Sequence, residues 1–245
     1  MKDKNINVLS TRPLDEVLVK KAQERQISID SISFIKTENI INSYISEEVK
    51  ALAAQAIIAV FTSMNGAQAV IKILAKDALQ PKWKIYCTGA ATQSLLREYF
   101  TAVEISGTGK NATELSETII SDNVKKVIFF CGDQRRDELP EHLQQNNIEV
   151  KEIVVYETKQ IPIKIEKEYN AILFYSPSAV KSFFSVNSIS ANAVLFSIGN
   201  TTAEEIKKNC NNKIIVSDFP AKDKLIEEAT AYFDTIKSHN DRTEK

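Results

Sequence analysis

The sequence predicts an α/β fold of two similar domains, each with a parallel sheet flanked by helices. The first observation behind this prediction is a repeated pattern, in which an apolar run ends at Phe61–Ala67 and another ends at Phe174–Val180. About 25 residues after the serine of each segment comes a matched pair, Gly89–Thr92 and Gly199–Thr202. The second observation is that short apolar runs alternate with helical patterns, as in a parallel sheet covered on both faces.

The elements follow one another in strand–helix order along most of the chain. The apolar runs predict strands near 6–11, 27–34, 56–61, 84–88, 101–105, 125–130, 148–156, 170–175, 193–198 and 213–216. Pro13 fits the first turn of a helix that ends near Arg25, because the missing N–H of proline costs nothing there. Further helices are predicted near 65–75, 91–99, 112–121, 136–145, 178–185, 201–209 and 221–235.

The order of the elements predicts a discontinuous domain. Residues 1–35 hold only two strands and one helix, too few to bury both faces of a parallel sheet. Joined to the three strands of 163–245, they form one five-stranded domain, and 38–156 forms the other. The chain then crosses between domains at 35–38 and 157–162, two linker strands. The active site is expected in the cleft between the domains, where loops after the strands meet.

Composition excludes several classes of function. The 245 residues carry 31 basic and 32 acidic side chains, a formal net charge of −1, which argues against non-specific nucleic-acid binding. No apolar run approaches the length of a membrane helix, and the polar start does not resemble an export signal. We therefore expect a cytoplasmic protein with no membrane partner, and a monomer because no exposed apolar stripe is evident.

The sequence offers few metal or cofactor ligands. Its three cysteines are far apart without a CxxC pair, and it has only two histidines, so neither a zinc site nor a disulfide framework is predicted. We expect reduced thiols at strand or helix ends. Neither GxxxxGK[ST] nor GxGxxG occurs, although Gly107–Lys110 has a superficial likeness, so a nucleotide cofactor is not indicated.

The loops after the strands are rich in hydroxyls and small residues. Helix N-termini there present free N–H groups, and added hydroxyls suit a ligand with many carboxylates or phosphates. The alternative is that each Ser or Thr is an ordinary helix cap. These loops are Thr11-Arg12, Thr62-Ser63, Gly89–Thr92, Gly107–Gly109, Cys131–Asp133, Ser176–Ser178 and Gly199–Thr202.

Two kinds of side chain stand out for chemistry. Tyr156 ends a strand at the second linker, where a phenol can donate a proton, although a half-buried linker tyrosine is the alternative. Arg12, Arg135 and Arg136 are candidates for pairing with carboxylates, and for Arg135 and Arg136 the alternative is a solvated first helical turn.

Seven segments, taken in their order along the chain, resemble the uroporphyrinogen-III synthase family. The resemblance implies two α/β domains, the linear substrate hydroxymethylbilane, and closure of the macrocycle with loss of water and inversion of ring D through a spiro intermediate. It also implies no metal or organic cofactor. The segments are Val8–Pro13, Val60–Ser63, Gly89–Thr92, Phe130–Gly132 with Arg135-Arg136, Val155–Thr158, Phe174–Val180 and Ile198–Ala203.

The resemblance also assigns roles to individual residues. Tyr156 matches the tyrosine favoured as proton donor to the departing hydroxyl. Arg12 matches an arginine after the first strand. The substrate-binding hydroxyls correspond to Thr62, Ser63, Thr92, Ser176, Thr201 and Thr202, and the tight turns to Gly89, Gly132 and Gly199. Met64-Asn65, Tyr175 and Asn200 depart from the residues usual in the family.

Two other functions fit the same residues. One is a non-catalytic two-domain protein that binds a small anion, and the other is a regulatory protein that keeps the fold without the activity. The first would bind its ligand without consuming a linear tetrapyrrole, which distinguishes it from the enzyme. Retention of Tyr156 and of the hydroxyls argues against the second.

Overall fold

The computed structural model describes residues 5–101, 103–218 and 222–243, with side chains given for 223–236 of the last segment. Two compact units share these residues. The first unit comprises the chain up to Lys36 and from Lys159 onward, and the second unit runs from Thr37 to Thr158.

Eleven strands and nine helices are found in the described residues. The strands are β1 (Ile6–Ser10), β2 (Ile27–Ser31), β3 (Ile35–Asn39), β4 (Ile58–Phe61), β5 (Lys84–Thr88), β6 (Glu104–Gly109), β7 (Lys126–Gly132), β8 (Glu149–Gln160), β9 (Ala171–Phe174), β10 (Val194–Ser197) and β11 (Ile214–Val216). The helices are α1 (Glu16–Gln23), α2 (Ser43–Ala53), α3 (Met64–Ala75), α4 (Ala90–Tyr99), α5 (Ala112–Ser121), α6 (Glu138–Gln145), α7 (Pro177–Phe184), α8 (Asn200–Lys207) and α9 (Lys222–Thr243).

Each unit is built on one sheet. In the first unit the strand order is β11-β10-β9-β1-β2, and all four pairings are parallel. In the second unit the order is β3-β8-β7-β4-β5-β6, and the pairings from β8 to β6 are parallel. Two similar α/β domains with helix-flanked parallel sheets, as the sequence predicts, are confirmed.

The strands are buried on both faces, as sequences of near-continuous apolar residues require. In β4, Ala59 and Phe61 belong to one apolar cluster while Val60, between them, belongs to another. Phe61 stacks on Phe130 of β7, with ring centroids 5.2 Å apart. Each fully buried side chain of this size contributes about 1.5–3 kcal/mol, so these rings fix β4 beside β7.

Four expectations differ from the structure. Helix α2 was not predicted. Pro13 lies before Asp15, the N-cap of α1, and not in the first turn of that helix. The predicted strand at 101–105 lies later, as β6, so Gly107–Gly109 belongs to a strand and not to a loop. Helix α6 begins at Glu138, two residues after the predicted start. Residues 102 and 221, which were assigned to predicted elements, lie outside the described residues.

Among the helices of the described segments, none has the length and apolar character that crossing a bilayer requires.

Candidate functional site

The candidate site in the second unit lies at the carboxyl ends of its parallel strands. Parallel strands bring these ends to one edge of the sheet, where the following loops and helix N-termini gather. Thr62 and Ser63 follow β4, Gly89 follows β5, and Gly132 ends β7. Tyr156 lies within β8, paired in register with Gly132 beside a bulge.

Tyr156 contacts two of the other predicted residues. Its phenolic oxygen lies 3.0 Å from the hydroxyl oxygen of Ser63. Its ring packs on Gly132, where an added Cβ would lie 2.4 Å from ring atoms Cε2 and Cζ. The absence of a side chain at Gly132 therefore makes room for the phenol, and the structure brings three residues predicted from the sequence into one cluster.

The loop after Gly132 holds the backbone on both sides of Tyr156. The backbone N–H of Asp133 donates to the Tyr156 carbonyl at 3.1 Å, and the Asp133 carboxylate accepts from the Thr158 N–H at 2.9 Å. Gln134 donates from its side chain to the Thr158 carbonyl at 2.9 Å. These three bonds limit the freedom of β8 at Tyr156, a role for Asp133 and Gln134 that the sequence did not reveal.

The environment keeps the Tyr156 phenol protonated. Burial raises the pKa of the Tyr156 hydroxyl, and the nearby Cys131 and Asp133 raise it further, while the hydrogen bond with Ser63 opposes the rise. An unperturbed phenol already has a pKa near 10. At neutral pH Tyr156 is therefore a neutral phenol and not a phenolate.

The other predicted residues of the second unit occupy the turns beside this cluster. Gly89 precedes α4 with φ of 78°, a left-handed conformation that favours glycine. Thr62 offers its carbonyl to the hydroxyl of Thr88 at 3.1 Å. Thr92, the third residue of α4, is buried, with a relative exposure of only 5%.

The first unit repeats this arrangement. Ser176 caps α7 by accepting from the Ala179 N–H at 3.2 Å, as Ser63 caps α3 by accepting from Gly66 at 3.1 Å. Gly199 precedes α8 as Gly89 precedes α4. Thr202 is the third residue of its helix and is buried like Thr92, whereas Thr201 is exposed. The sequence repeat is therefore a structural repeat of strand end, capping hydroxyl and helix.

Arg12 follows β1 at the same edge of the first unit. Its guanidinium carbon lies 5.7 Å from the ring centroid of Tyr175. Among the residues that the structure describes, none offers Arg12 a carboxylate within ion-pair distance. Burial lowers the pKa of Arg12, and the Tyr175 phenol opposes that shift. A half-buried cation without an anion suits a carboxylate ligand.

Tyr175 contacts Arg12, although in the sequence it was noted only as a departure from the residue usual in the resembled family. Burial raises the pKa of its phenol to about 12, against the smaller effects of Ser10 and Arg12. Its hydroxyl lies near Ser10, but over the described ranges no group meets it at hydrogen-bond geometry. Tyr175 therefore acts on its surroundings chiefly through its ring, which supports Arg12.

The sequence model of one protein family, uroporphyrinogen-III synthase HemD, matches residues 16–227, a stretch that includes every predicted site residue except Arg12. The chain belongs to this family. Membership confirms the resemblance found in the sequence and the enzyme class, a cyclising lyase of porphyrin biosynthesis with a small tetrapyrrole substrate. No curated protein sequence matches this chain.

Solved structures of the uroporphyrinogen-III synthase family share the fold. A mutant uroporphyrinogen III synthase from the extremely thermophilic bacterium Thermus thermophilus is 15% identical, with a TM-score of 0.66 over 95% of this chain and 99% of that one. The uroporphyrinogen-III synthetase from Helicobacter pylori is 16% identical, with a TM-score of 0.66 over 93% and 99%. Nothing in these likenesses favours a non-catalytic protein.

Arg135, a sequence candidate for substrate pairing, is already engaged in this family member. It donates to both carboxylate oxygens of Glu152, at 2.5 and 2.8 Å, and also pairs with Asp137. The hydrogen bond to Glu152 is the main cause of the raised pKa of Arg135. Arg135 therefore braces β8 against the loop after β7, while Arg136 is exposed.

Within the described ranges no three His, Cys, Asp or Glu side chains are grouped as metal ligands. All three cysteines are free; Cys87 and Cys131 are buried in β5 and β7, and Cys210 is half-buried. Burial raises the pKa of each buried thiol to about 11.

Labelling with a thiol reagent is expected to modify Cys210 first. Because a free cysteine has a pKa of about 8.5, Cys87 and Cys131 should react at least about 100-fold more slowly than free cysteine. Mass spectrometry of timed samples measures the order of reaction. Equal rates at the three positions in folded protein would contradict the burial.

Proposed function

We propose that this protein closes hydroxymethylbilane to uroporphyrinogen III with Tyr156 as the proton donor. The observation that carries the proposal is the protonated Tyr156 phenol, held at the carboxyl edge of the second unit by Ser63 and Gly132 in a chain of the uroporphyrinogen-III synthase family. That the substrate lies in a cleft between the two domains stays a prediction, as do a cytoplasmic location and a monomeric state.

The first step breaks the bond between the terminal methylene carbon and its hydroxyl. The pyrrole nitrogen supplies the electron pair that forms an azafulvene, and Tyr156 gives its proton to the departing hydroxyl, which leaves as water. The azafulvene carbon then bonds to the substituted α-carbon of the ring D pyrrole itself, giving the spiro intermediate. The bond between this α-carbon and the methylene that links it to ring C then breaks, and that methylene bonds to the free α-carbon of ring D. Loss of the proton on that carbon to the phenolate completes the inverted macrocycle.

The remaining work is positioning, because the unassisted chain closes without inverting ring D. Holding the two ends in a reactive geometry supplies a large share of the acceleration in reactions of this kind. The exposed or half-buried donors Arg12, Thr62, Ser176 and Thr201, with the backbone N–H groups beyond Gly89 and Gly199, suit the substrate's acetates and propionates. Thr92 and Thr202 are buried, and substrate binding by their hydroxyls stays a prediction.

Turnover separates the enzyme from a binding protein. With hydroxymethylbilane in about 1000-fold molar excess, the enzyme is expected to consume all of it faster than the spontaneous reaction. Porphyrin absorbance after oxidation measures the product. Retention of one equivalent of unchanged bilane, without acceleration, would support the non-catalytic alternative.

Replacement of Arg12 by alanine is expected to raise KM about 10-fold or more and to leave kcat within about twofold. The reason is that a hydrogen bond to a charged partner contributes about 1.5–3 kcal/mol. Arg12→Lys should recover part of the loss, since lysine keeps the charge without the planar fork. The matched control is Arg97→Ala, which removes the same charge from an exposed site on α4. An unchanged KM in Arg12→Ala would contradict carboxylate binding by Arg12.

A further inference from the structure

Ser63 takes part in two hydrogen bonds that are linked through one hydroxyl group. As the N-cap of α3 it has extended backbone, and its oxygen accepts from the N–H of Gly66 at 3.1 Å. The same oxygen lies 3.0 Å from the phenolic oxygen of Tyr156, 93 positions later in the chain. The hydroxyl therefore connects the N-terminus of a helix to the phenol of the proposed proton donor.

The direction of the hydrogen bond between Ser63 and Tyr156 decides what Ser63 can do for the phenol. A serine hydroxyl has one proton and two lone pairs, and Gly66 already occupies one of those lone pairs. In the structure the Ser63 hydroxyl donates to the phenolic oxygen, which leaves the Tyr156 proton free for another acceptor. Once Tyr156 has given that proton away, its oxygen can only accept, so Ser63 must be the donor of this hydrogen bond.

The helix strengthens Ser63 as a donor. The N-terminus of a helix carries partial positive charge, and no acidic residue in the first turn of α3 offsets it. The Gly66 N–H draws electron density from the Ser63 oxygen, which makes the serine proton a better partner for a negative phenolate. Hydrogen bonds to a charged acceptor are about twice as strong as those between neutral groups.

Packing fixes the position of Ser63 relative to Tyr156. Helix α3 approaches β7 so closely that a Cβ on Gly66 would lie 3.0 Å from the Phe130 carbonyl oxygen. The Thr62 carbonyl accepts from Thr88, which ties the preceding residue to β5. The ring of Tyr156 packs on Gly132, so neighbouring backbone holds both partners in place.

We propose that Ser63 is a positioning residue that serves the reaction through Tyr156, and not a binding residue for a substrate carboxylate. It directs the phenolic proton toward the departing hydroxyl and donates its own hydrogen bond to the phenolate that remains. No bond to Ser63 is made or broken, and its proton stays on its oxygen. This inference rests on the proposed function, because it requires Tyr156 to be the proton donor.

Steady-state kinetics of Ser63→Ala and Ser63→Thr test this role. Loss of the hydroxyl in Ser63→Ala should lower kcat about 10- to 100-fold and leave KM within about twofold. Ser63→Thr keeps both the hydroxyl and the cap, and should recover most of kcat. In a Tyr156→Phe background, adding Ser63→Ala should change kcat less than twofold, because residues that act as a unit are not additive. A raised KM with kcat unchanged, or a full additional loss in that background, would overturn the proposal.

The loss of a helix cap needs its own control. Asn42→Ala removes the cap of α2, whose side chain accepts from the Ile45 N–H at 2.8 Å, and it should lower stability as Ser63→Ala does while leaving kcat unchanged. A comparable fall of kcat in Asn42→Ala would overturn the assignment to the Tyr156 contact.

A titration without substrate distinguishes failure of this inference from failure of the proposed function. Carbon-13 NMR of ring-labelled tyrosine, assigned by comparison with Tyr156→Phe, reports the pKa of this phenol. Ser63→Ala should raise the Tyr156 pKa above its wild-type value, since the Ser63 bond lowers it. An unchanged pKa would overturn the inference alone, whereas wild-type kcat in Tyr156→Phe would overturn the donor role itself.

Discussion

Replacement of Tyr156 by phenylalanine is expected to lower kcat by about 100-fold or more, the usual contribution of a positioned general acid. The loss should be incomplete, because the pyrrole nitrogen still expels the hydroxyl and the bound chain is still held for closure. KM should change little. The measurement is kcat at saturating hydroxymethylbilane, with the uroporphyrin isomers of the product separated by chromatography. A wild-type rate would rule out Tyr156 as the donor.

The control for this variant removes another phenol from the same unit. The Tyr86 hydroxyl donates to the Asp122 carboxylate at 2.6 Å, away from the Tyr156 cluster. Tyr86→Phe is expected to cost some stability, because Asp122 loses its partner, and to leave kcat near the wild-type value. Equal loss of kcat in both variants would point to general loosening of the second unit.

Replacement of Gly132 by alanine should also have a large effect. The new Cβ would lie 2.4 Å from two ring atoms of Tyr156 and 2.8 Å from its oxygen, so the ring must move. Overpacking of this kind costs about 1–3 kcal/mol of stability. The displaced phenol loses its bond to Ser63, so kcat should fall at least about 10-fold. Chemical denaturation and steady-state kinetics measure the two effects.

Gly199→Ala is the stability control for the Gly132 variant. Among the described residues no heavy atom lies within 4 Å of a Cβ added at Gly199, and the φ of Gly199, 175°, is extended backbone that any residue adopts. The unfolding free energy of the Gly199→Ala protein should stay within about 0.5 kcal/mol of the wild-type value or rise slightly. A Gly132→Ala protein with wild-type kcat would show that the phenol is not held by its contact with Gly132.

The repeat was readable from the sequence because its parts are local. A strand, a hydroxyl and a helix follow one another within a few residues at Ser63 and at Ser176. Both serines are helix caps, so the cap expected as the alternative is present at each. At Ser63 the cap and the contact with Tyr156 coexist, and only the folded chain could show this because 93 positions separate the two residues.

The missed elements have physical explanations. Helix α2 carries Ile45, Val49 and Leu52 at helical spacing after the cap Asn42, a signal that was present but not used. Gly107 and Gly109 suggested a loop, yet a Cβ on Gly107 would lie 2.7 Å from the Tyr86 ring. Glycine there serves close packing within a strand.

The sequence could not show which residues contact Arg12 and Arg135, because those contacts form only in the folded chain. Arg135, in the loop after β7, pairs with Glu152 of β8, whereas Arg12 contacts the ring of Tyr175, which follows β9. Both arginines follow the end of a strand. Only the pairing of the strands in the fold shows that Arg135 is engaged with Glu152 and that Arg12 lies at the ring of Tyr175.

The isomer composition of the product is the most direct test of the central claim. Purified protein is mixed with freshly generated hydroxymethylbilane, the product is oxidised, and the uroporphyrin isomers are separated by chromatography. A dominant type III isomer is predicted, because the enzyme inverts ring D during closure. A mixture no different from the spontaneous type I control would contradict the account.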